Sequence, residues 1–127
     1  MFCGFYRNAW KESYSSVYTD KIIEEMAAEA EIRQGNGKIR AVYFGGGTPT
    51  ALQTSDLARL IRACYQYLPI AEDCEFTIEG RMSHFDIEKA QACIEAGANR
   101  ISIGMQTFDT AIRRRLGRKH SGEEAYG

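Results

Sequence analysis

The sequence predicts an α/β fold with about three βα units and a parallel sheet. Helix and strand signals alternate along the chain in the order α-β-α-β-α-β-α, and a polar or glycine-rich cluster follows each predicted strand. Such alternation is typical of right-handed βαβ units, whose strands are parallel. The chain has 127 residues and contains no linker or low-complexity segment, which favours a single domain.

The first half of the chain predicts a helix, a strand and a second helix. Apolar residues recur at helical spacing over Ile22–Ala30, and a glycine-rich segment then ends the helix. The segment Ile39–Phe44 is rich in β-branched and aromatic residues, which is typical of a strand. The second helix is predicted to begin near Thr54 or Ser55 and to end before Pro69.

The second half of the chain repeats this alternation. The segment Phe76–Ile78 predicts the second strand. Ser83, with Asp86 three residues later, predicts the start of a third helix, and Gly97 lies where a left-handed glycine commonly ends a helix. The segment Arg100–Met105 alternates in polarity and predicts the third strand.

A short basic helix is predicted after the third strand. Asp109 is expected to cap this helix and Gly117 to end it. Its arginines, at positions 113–115, are interpreted as a solvated face, because runs of like charge usually lie in water. The two histidines, His84 and His120, are expected to have surface or capping roles rather than to bind metal or heme.

Composition limits the classes of partner. The formal net charge is −1, so no overall field favours nucleic acid or a membrane. No apolar run approaches the roughly 18–20 residues that span a bilayer, and no secretion signal is recognised. The four cysteines form no Cys-x-x-Cys pair, so we expect free thiols and a cytoplasmic location. Cys64 and Cys93 are expected in the core, and Cys74 in the core or at an edge.

The most informative functional signal is a glycine-rich loop directly after the first strand. Gly45, Gly46 and Gly47 are followed by Thr48 and Pro49. The surrounding residues match neither a dinucleotide fingerprint nor a phosphate-binding loop. A glycine triplet at the end of a strand favours close approach of a ligand to the backbone, although a simple tight turn would also use glycine.

Two further polar clusters are predicted to lie beside this loop. Glu79–Arg81 follows the second strand, and Gln106–Thr107 follows the third. Because ligands bind at the carboxyl ends of parallel strands, all three clusters are predicted to line one face. Taken alone, Glu79 is also compatible with a solvated strand end or a partner of Arg81, and Gln106 with a hydrogen-bonded turn residue.

Four motifs together resemble the radical S-adenosylmethionine (SAM) enzymes, in particular the branch that contains the oxygen-independent coproporphyrinogen III dehydrogenase. They are Phe2–Phe5, Gly45–Pro49, Asn99–Phe108 and Leu116–Arg118. The resemblance covers essentially the whole chain. It implies a radical SAM partial (β/α)6 barrel, of which residues 1–127 would be a fragment that lacks the first strand and the C-terminal half.

The resemblance also implies two cofactors, a [4Fe–4S] cluster and SAM, together with a low-potential electron donor. Cys3 matches the third cysteine of the family's Cys-x3-Cys-x2-Cys cluster motif, whose first two cysteines would lie upstream. Family positions that contact SAM are matched by Phe2, Gly45, Gly46, Gly47, Thr48, Glu79, Gln106 and Arg118.

Two departures from the coproporphyrinogen enzymes concern the substrate. The segment Glu79–Met82 stands where those enzymes usually have Glu-x-Asn/Asp-Pro, and Gly4–Asn8 differs from the segment after their last cluster cysteine. Both features resemble the anaerobic heme-degrading radical SAM methyltransferases. The expected function is therefore heme ring opening with methyl transfer, on a tetrapyrrole substrate. The alternatives are oxygen-independent coproporphyrinogen III oxidation and non-catalytic heme delivery.

Overall fold

The structure, a computed structural model, describes residues 10–32, 35, 37–117 and 120–126. The helices and strands are α1 (Ser15–Ile32), β1 (Ile39–Phe44), α2 (Thr54–Tyr67), β2 (Ile70–Gly80), α3 (Ile87–Ala96), β3 (Arg100–Ile103), α4 (Thr110–Arg115) and α5 (Gly122–Tyr126). Short 3₁₀ turns precede α1, α2 and α3. The predicted α/β class and the predicted order of elements are confirmed.

The three strands form one parallel sheet in the order β1-β2-β3. Val42 of β1 lies beside Phe76 of β2, and Ile78 of β2 lies beside Ile101 of β3. Since all three strands run in the same direction, their carboxyl ends meet at one edge of the sheet, which we call the C-terminal edge. This edge is where the three polar clusters were predicted to converge.

The core lies between one face of the sheet and the helices. Its completely buried members are Leu57 and Ile61 from α2, Phe76 and Ile78 from β2, and Cys93 from α3. One side of α1 packs against the same cluster through partly buried apolar side chains. No helix in the described part of the chain is long and apolar enough to cross a membrane.

The opposite face of the sheet is polar. Tyr43 projects from it and is 58% exposed, whereas its neighbour Phe44 packs edge-to-face on Phe76 with ring centroids 5.1 Å apart. Tyr43 and Glu79 share this polar face, because their side chains meet in a hydrogen bond. Adjacent residues along each strand therefore serve either the packed core or the open face, as the two-residue period of a strand requires.

Two strand boundaries differ from the prediction. β2 begins at Ile70 rather than Phe76, because Ile70 pairs with Ile39 of β1. The residues between Ile70 and Phe76 are mostly polar and contain no apolar run, so the sequence does not indicate a strand there. β3 ends at Ile103 rather than Met105. The last backbone contact at this end is the amide of Gly104, which donates to the carbonyl of Gly80 at 3.1 Å.

The predicted start of α3 is wrong. Ser83 lies in the 3₁₀ turn Met82–His84, and the helix begins only at Ile87. Asp86 is the N-cap, and its carboxylate accepts a hydrogen bond from the Lys89 amide at 2.8 Å. Both residues have capping side chains, so the sequence pattern did not decide between them. The other predicted helix ends are confirmed: Gly97 closes α3 at φ +116°, Asp109 caps α4, and Gly117 follows α4 at φ +74°.

Replacing Asp86 with alanine should lower the free energy of unfolding by about 1 kcal/mol, because the first turn of α3 loses its side-chain cap. Chemical denaturation of the intact protein measures this loss, and amide exchange at Lys89 should become faster. Ser83→Ala is the matched control and should change stability by less than about 0.5 kcal/mol. Equal losses from the two substitutions would mean that Ser83 also caps the helix.

Candidate functional site at the C-terminal edge of the sheet

The loop after β1 is closed on one side and open on the other. A Cβ atom at Gly45 would lie 2.5 Å from Cε1 of Tyr43 and 3.1 Å from Oε2 of Glu79, so a larger residue would have to displace the exposed Tyr43 ring. Gly46 has φ +97°, in the left-handed region. A Cβ atom at Gly46 or Gly47 would have no described neighbour within 4 Å. The Tyr43 ring beside Gly45 and the positive φ of Gly46 account for the first two glycines, but neither feature requires a glycine at position 47.

Glu79 is held at this loop by Tyr43. The Tyr43 hydroxyl donates to Oε2 of the Glu79 carboxylate at 3.2 Å, and Glu79 is half-buried at the end of β2. Within the described part of the chain, Glu79 forms no ion pair with Arg81, so that interpretation is wrong. Sequence reasoning did not select Tyr43. The signal available was its position two residues before Gly45, on the same face of β1.

A buried threonine fastens the glycine loop to the next loop. Oγ1 of the fully buried Thr50 accepts a hydrogen bond from the Arg81 amide at 3.2 Å. The Lys89 ammonium, on α3, donates to the carbonyls of Thr50 and Leu52, both at 2.8 Å. Neither Thr50 nor Lys89 was singled out from the sequence. These contacts fix where the glycine loop turns away from the sheet.

The loop after β3 reaches the same edge. A Cβ atom at Gly104 would lie 3.7 Å from Nε2 of Gln106 and 3.9 Å from the carbonyl oxygen of Gly80. The Gln106 side chain therefore folds back over Gly104, beside the end of β2 and next to the residue that follows Glu79. The structure thus brings Gly45–Gly47, Glu79 and Gln106 to one edge. Phe2, Cys3 and Arg118 lie outside the described residues, and their roles remain predictions.

One residue of the basic helix departs from its predicted environment. Arg113 is only 5% exposed, so its interpretation as part of a solvated face is wrong. Arg114 and Arg115 are exposed, as expected. Arg113 is turned inward because its guanidinium finds acceptors on both sides of α4, in the loop after β3 and in the segment at His120.

The described cysteines are structural. Cys64, Cys74 and Cys93 are buried free thiols, as predicted. Burial raises the pKa of Cys64 to about 11 and also raises the pKa of Cys93, so both thiols are protonated near neutral pH and are poor metal ligands. The described residues contain no group of three or more His, Cys, Asp or Glu side chains that could hold a metal ion.

The chain belongs to the radical SAM superfamily, whose profile matches residues 1–126. Members of this superfamily use a [4Fe–4S] cluster and SAM. The chain is 50% identical to the anaerobilin synthase of Escherichia coli O157:H7 over 125 residues. This alignment covers 98% of the chain and 28% of that protein. It is 32% identical over 125 residues to the heme chaperone HemW of Lactococcus lactis subsp. lactis (strain IL1403), covering 98% of the chain and 32% of that protein.

A solved structure has the same fold. The coproporphyrinogen III oxidase HemN of Escherichia coli superimposes with a TM-score of 0.83 at 22% identity, over 98% of this chain and 29% of that protein. The predicted membership of the radical SAM superfamily and the predicted fold class are confirmed. The chain spans less than a third of the length of each of these three proteins.

Proposed function

We propose that this chain is part of a radical SAM enzyme that opens the heme macrocycle anaerobically, with methyl transfer to the tetrapyrrole. The observation that carries the proposal is the 50% identity to anaerobilin synthase across 98% of the chain. Identity to the heme chaperone is 32% over the same length, and identity to the oxygen-independent coproporphyrinogen III oxidase of Paracoccus denitrificans (strain Pd 1222) is 39% over 87 residues.

Residues 1–127 form, in this proposal, part of a partial (β/α)6 barrel that lacks its first strand and its C-terminal half. Three parallel strands follow one another in chain order, and the helices α1, α2 and α3 cover only one of the two faces. A barrel wall has this arrangement, because its other face lines the interior. The polar side chains on the uncovered face support that assignment.

The [4Fe–4S] cluster and SAM, when bound, supply radical chemistry after one-electron reduction, and a low-potential donor provides the electron. In our proposal, Cys3 contributes one thiolate to the cluster. The open backbone at Gly46 and Gly47 receives the amino-acid end of SAM, which fits a site where a Cβ atom would find no described neighbour. Further contacts to SAM come from Phe2, Gly45, Thr48, Glu79, Gln106 and Arg118.

The donors at the C-terminal edge fit this ligand. Glu79 supplies a half-buried carboxylate that Tyr43 already orients, and Gln106 supplies an amide beside the end of β2. Carboxylates and amides of this kind bind ammonium and hydroxyl groups, both of which SAM contains. Glu79 is partly buried at the end of β2, whereas Gln106 is exposed, so water competes less at the carboxylate than at the amide.

Arg81 is proposed to bind a propionate of the tetrapyrrole. Its side chain is exposed at the C-terminal edge, while its amide is fixed by Thr50. Asp86 is an acidic residue with which Arg81 could pair instead. Its carboxylate is engaged in capping α3 and forms no ion pair with Arg81 among the described residues. A guanidinium with this freedom can approach a carboxylate with two parallel hydrogen bonds.

We also propose a cytoplasmic location, which the three free thiols of the described residues support. No role for nucleic acid or membrane is proposed, in keeping with the formal net charge of −1. Heme delivery without turnover remains the second candidate, because several relatives with identities of 26–35% carry the name heme chaperone.

The decisive measurement uses the intact protein with a reconstituted cluster, SAM and a low-potential reductant. We expect it to consume heme, release iron and yield a linear methylated tetrapyrrole, and to leave coproporphyrinogen III largely unchanged. Conversion of coproporphyrinogen III with heme untouched would assign the protein to heme biosynthesis. Stable binding of heme, without cleavage of SAM on reduction, would assign it to heme delivery.

A further inference from the structure

Arg113 is a buried cation in a helix whose other arginines are in water. It is 5% exposed, whereas Arg114 and Arg115 on the same short helix are exposed. A buried charge is costly unless it is fully hydrogen-bonded. The position of Arg113 therefore requires that its donors find acceptors, and the structure provides one acceptor group on each side of α4.

The first group of acceptors is the loop after β3. Nη1 of Arg113 donates to the carbonyl oxygen of Thr107 at 2.9 Å and contacts Sδ of Met105 at 2.8 Å. These two residues flank Gln106 directly. One nitrogen of the guanidinium therefore holds the chain on both sides of the residue that we propose to contact SAM.

The second acceptor lies beyond the end of α4. Nε of Arg113 donates to the carbonyl oxygen of His120 at 2.9 Å, seven positions further along the chain. In the sequence, Gly117, whose φ of +74° turns the chain, and Arg118, a proposed SAM contact, both lie between these two residues. Arg113 thus fixes the segment that begins at His120.

The two segments joined by Arg113 also pack directly on each other. The amide of Gly122 donates to Oγ1 of Thr110 at 3.0 Å. A Cβ atom at Gly122 would overlap the carbonyl oxygen of Phe108, so the two backbones are in close contact. The loop after β3 and the segment that begins at His120 therefore form one packed unit, with the Arg113 guanidinium inside it.

We propose that Arg113 is a positioning residue of the SAM site, which fixes the loop of Gln106 to the segment that begins at His120 through one guanidinium. The inference rests on the proposed function, since Gln106 is a proposed SAM contact. Arg113 has no direct contact with SAM in this arrangement. Lysine cannot replace it, because the contacts to Thr107 and His120 use two nitrogens held in one plane, and an ammonium is a single point of charge.

The test compares Arg113→Lys and Arg113→Ala with Arg114→Ala in the intact, cluster-loaded protein. Arg114→Ala is the matched control, because it removes the same charge from the next position of the same helix. Calorimetry measures SAM affinity, thermal melting measures stability, and hydrogen exchange reports on residues 104–109 and 117–122. We expect both Arg113 variants to lose about tenfold in SAM affinity and to exchange faster in these two segments. Arg114→Ala should match the wild type in all three measurements.

The result that would overturn the inference is wild-type SAM affinity in Arg113→Lys, or loosened segments with unchanged affinity. If Arg113→Ala lowers the melting temperature of the whole protein, Arg113→Lys decides, because it keeps the charge and most of the volume. Failure of the proposed function gives a different pattern, in which the wild type itself does not bind SAM. In that case, hydrogen exchange would still test the contacts of Arg113. Slow exchange in both segments of the wild type and of Arg114→Ala, with fast exchange in both Arg113 variants, would show that Arg113 holds the two segments together.

Discussion

Reductive cleavage of SAM should fall to background when Cys3 is replaced by serine in the intact protein. Thiolate binds the iron of such a cluster well, whereas a hydroxyl is a poor ligand for it, so the cluster would lose one of its three protein ligands. The measurement is the yield of 5′-deoxyadenosine or methylated product after reduction, together with the visible absorption of the cluster. We expect both signals to be lost.

Cys74→Ser is the control for this prediction. Cys74 has a buried free thiol, and the residue is only 3% exposed. Its Sγ donates to the carbonyl oxygen of Glu75 at 3.7 Å. Serine is close to cysteine in shape, and Cys74 is not part of the proposed cluster motif, so the cluster and SAM cleavage should remain. Wild-type cleavage by Cys3→Ser would show that Cys3 is not a ligand and would contradict the proposed role of the N-terminal motif.

Valine at position 47 should weaken SAM binding by roughly tenfold to a hundredfold and leave the melting temperature unchanged. A side chain at Gly47 would enter space in which no described atom lies within 4 Å, so it costs no packing in the protein itself. Gly47 also lacks the positive φ of Gly46, so valine is not strained there. Any loss of affinity must then come from the ligand that occupies this space.

Gly37→Val provides the comparison for Gly47→Val. Gly37 is an exposed glycine whose Cβ position is also open, and it lies before β1, away from the C-terminal edge. Calorimetric SAM affinity and thermal melting of this variant should match the wild type. Unchanged SAM affinity in Gly47→Val would show that the glycine loop is only a turn.

The fold could be predicted where local signals were unambiguous. The bounds of β1 follow from a segment rich in β-branched and aromatic residues that lies between two glycine-rich segments. Gly97 and Asp109 are residue types that each favour one end of a helix. The N-terminal half of β2 could not be recognised, because Ile70 and the polar residues after it become a strand through pairing with β1. Such pairing is a long-range contact, and no local pattern specifies it.

The candidate site was predictable to the extent that topology alone determines it. Parallel strands bring their carboxyl ends together, so Glu79, Gln106 and the glycine loop could be assigned to one edge before the structure was known. The residues that support the site could not be predicted in this way. Arg113 and Lys89 are basic residues on helices that usually face water, and the acceptors that turn them inward belong to other elements of the chain.

The alternation of side chains across β1 and β2 separates two roles that evolution can change independently. Phe76 and Ile78 keep the helices in place, while Tyr43 and Glu79 project from the other side of the same strands. A mutation at Glu79, a proposed SAM contact, can therefore change the proposed site without loosening the interior, and a mutation at Ile78 can be compensated without changing that site. The same sheet can therefore be shared by related proteins that degrade, synthesise or deliver a coloured tetrapyrrole.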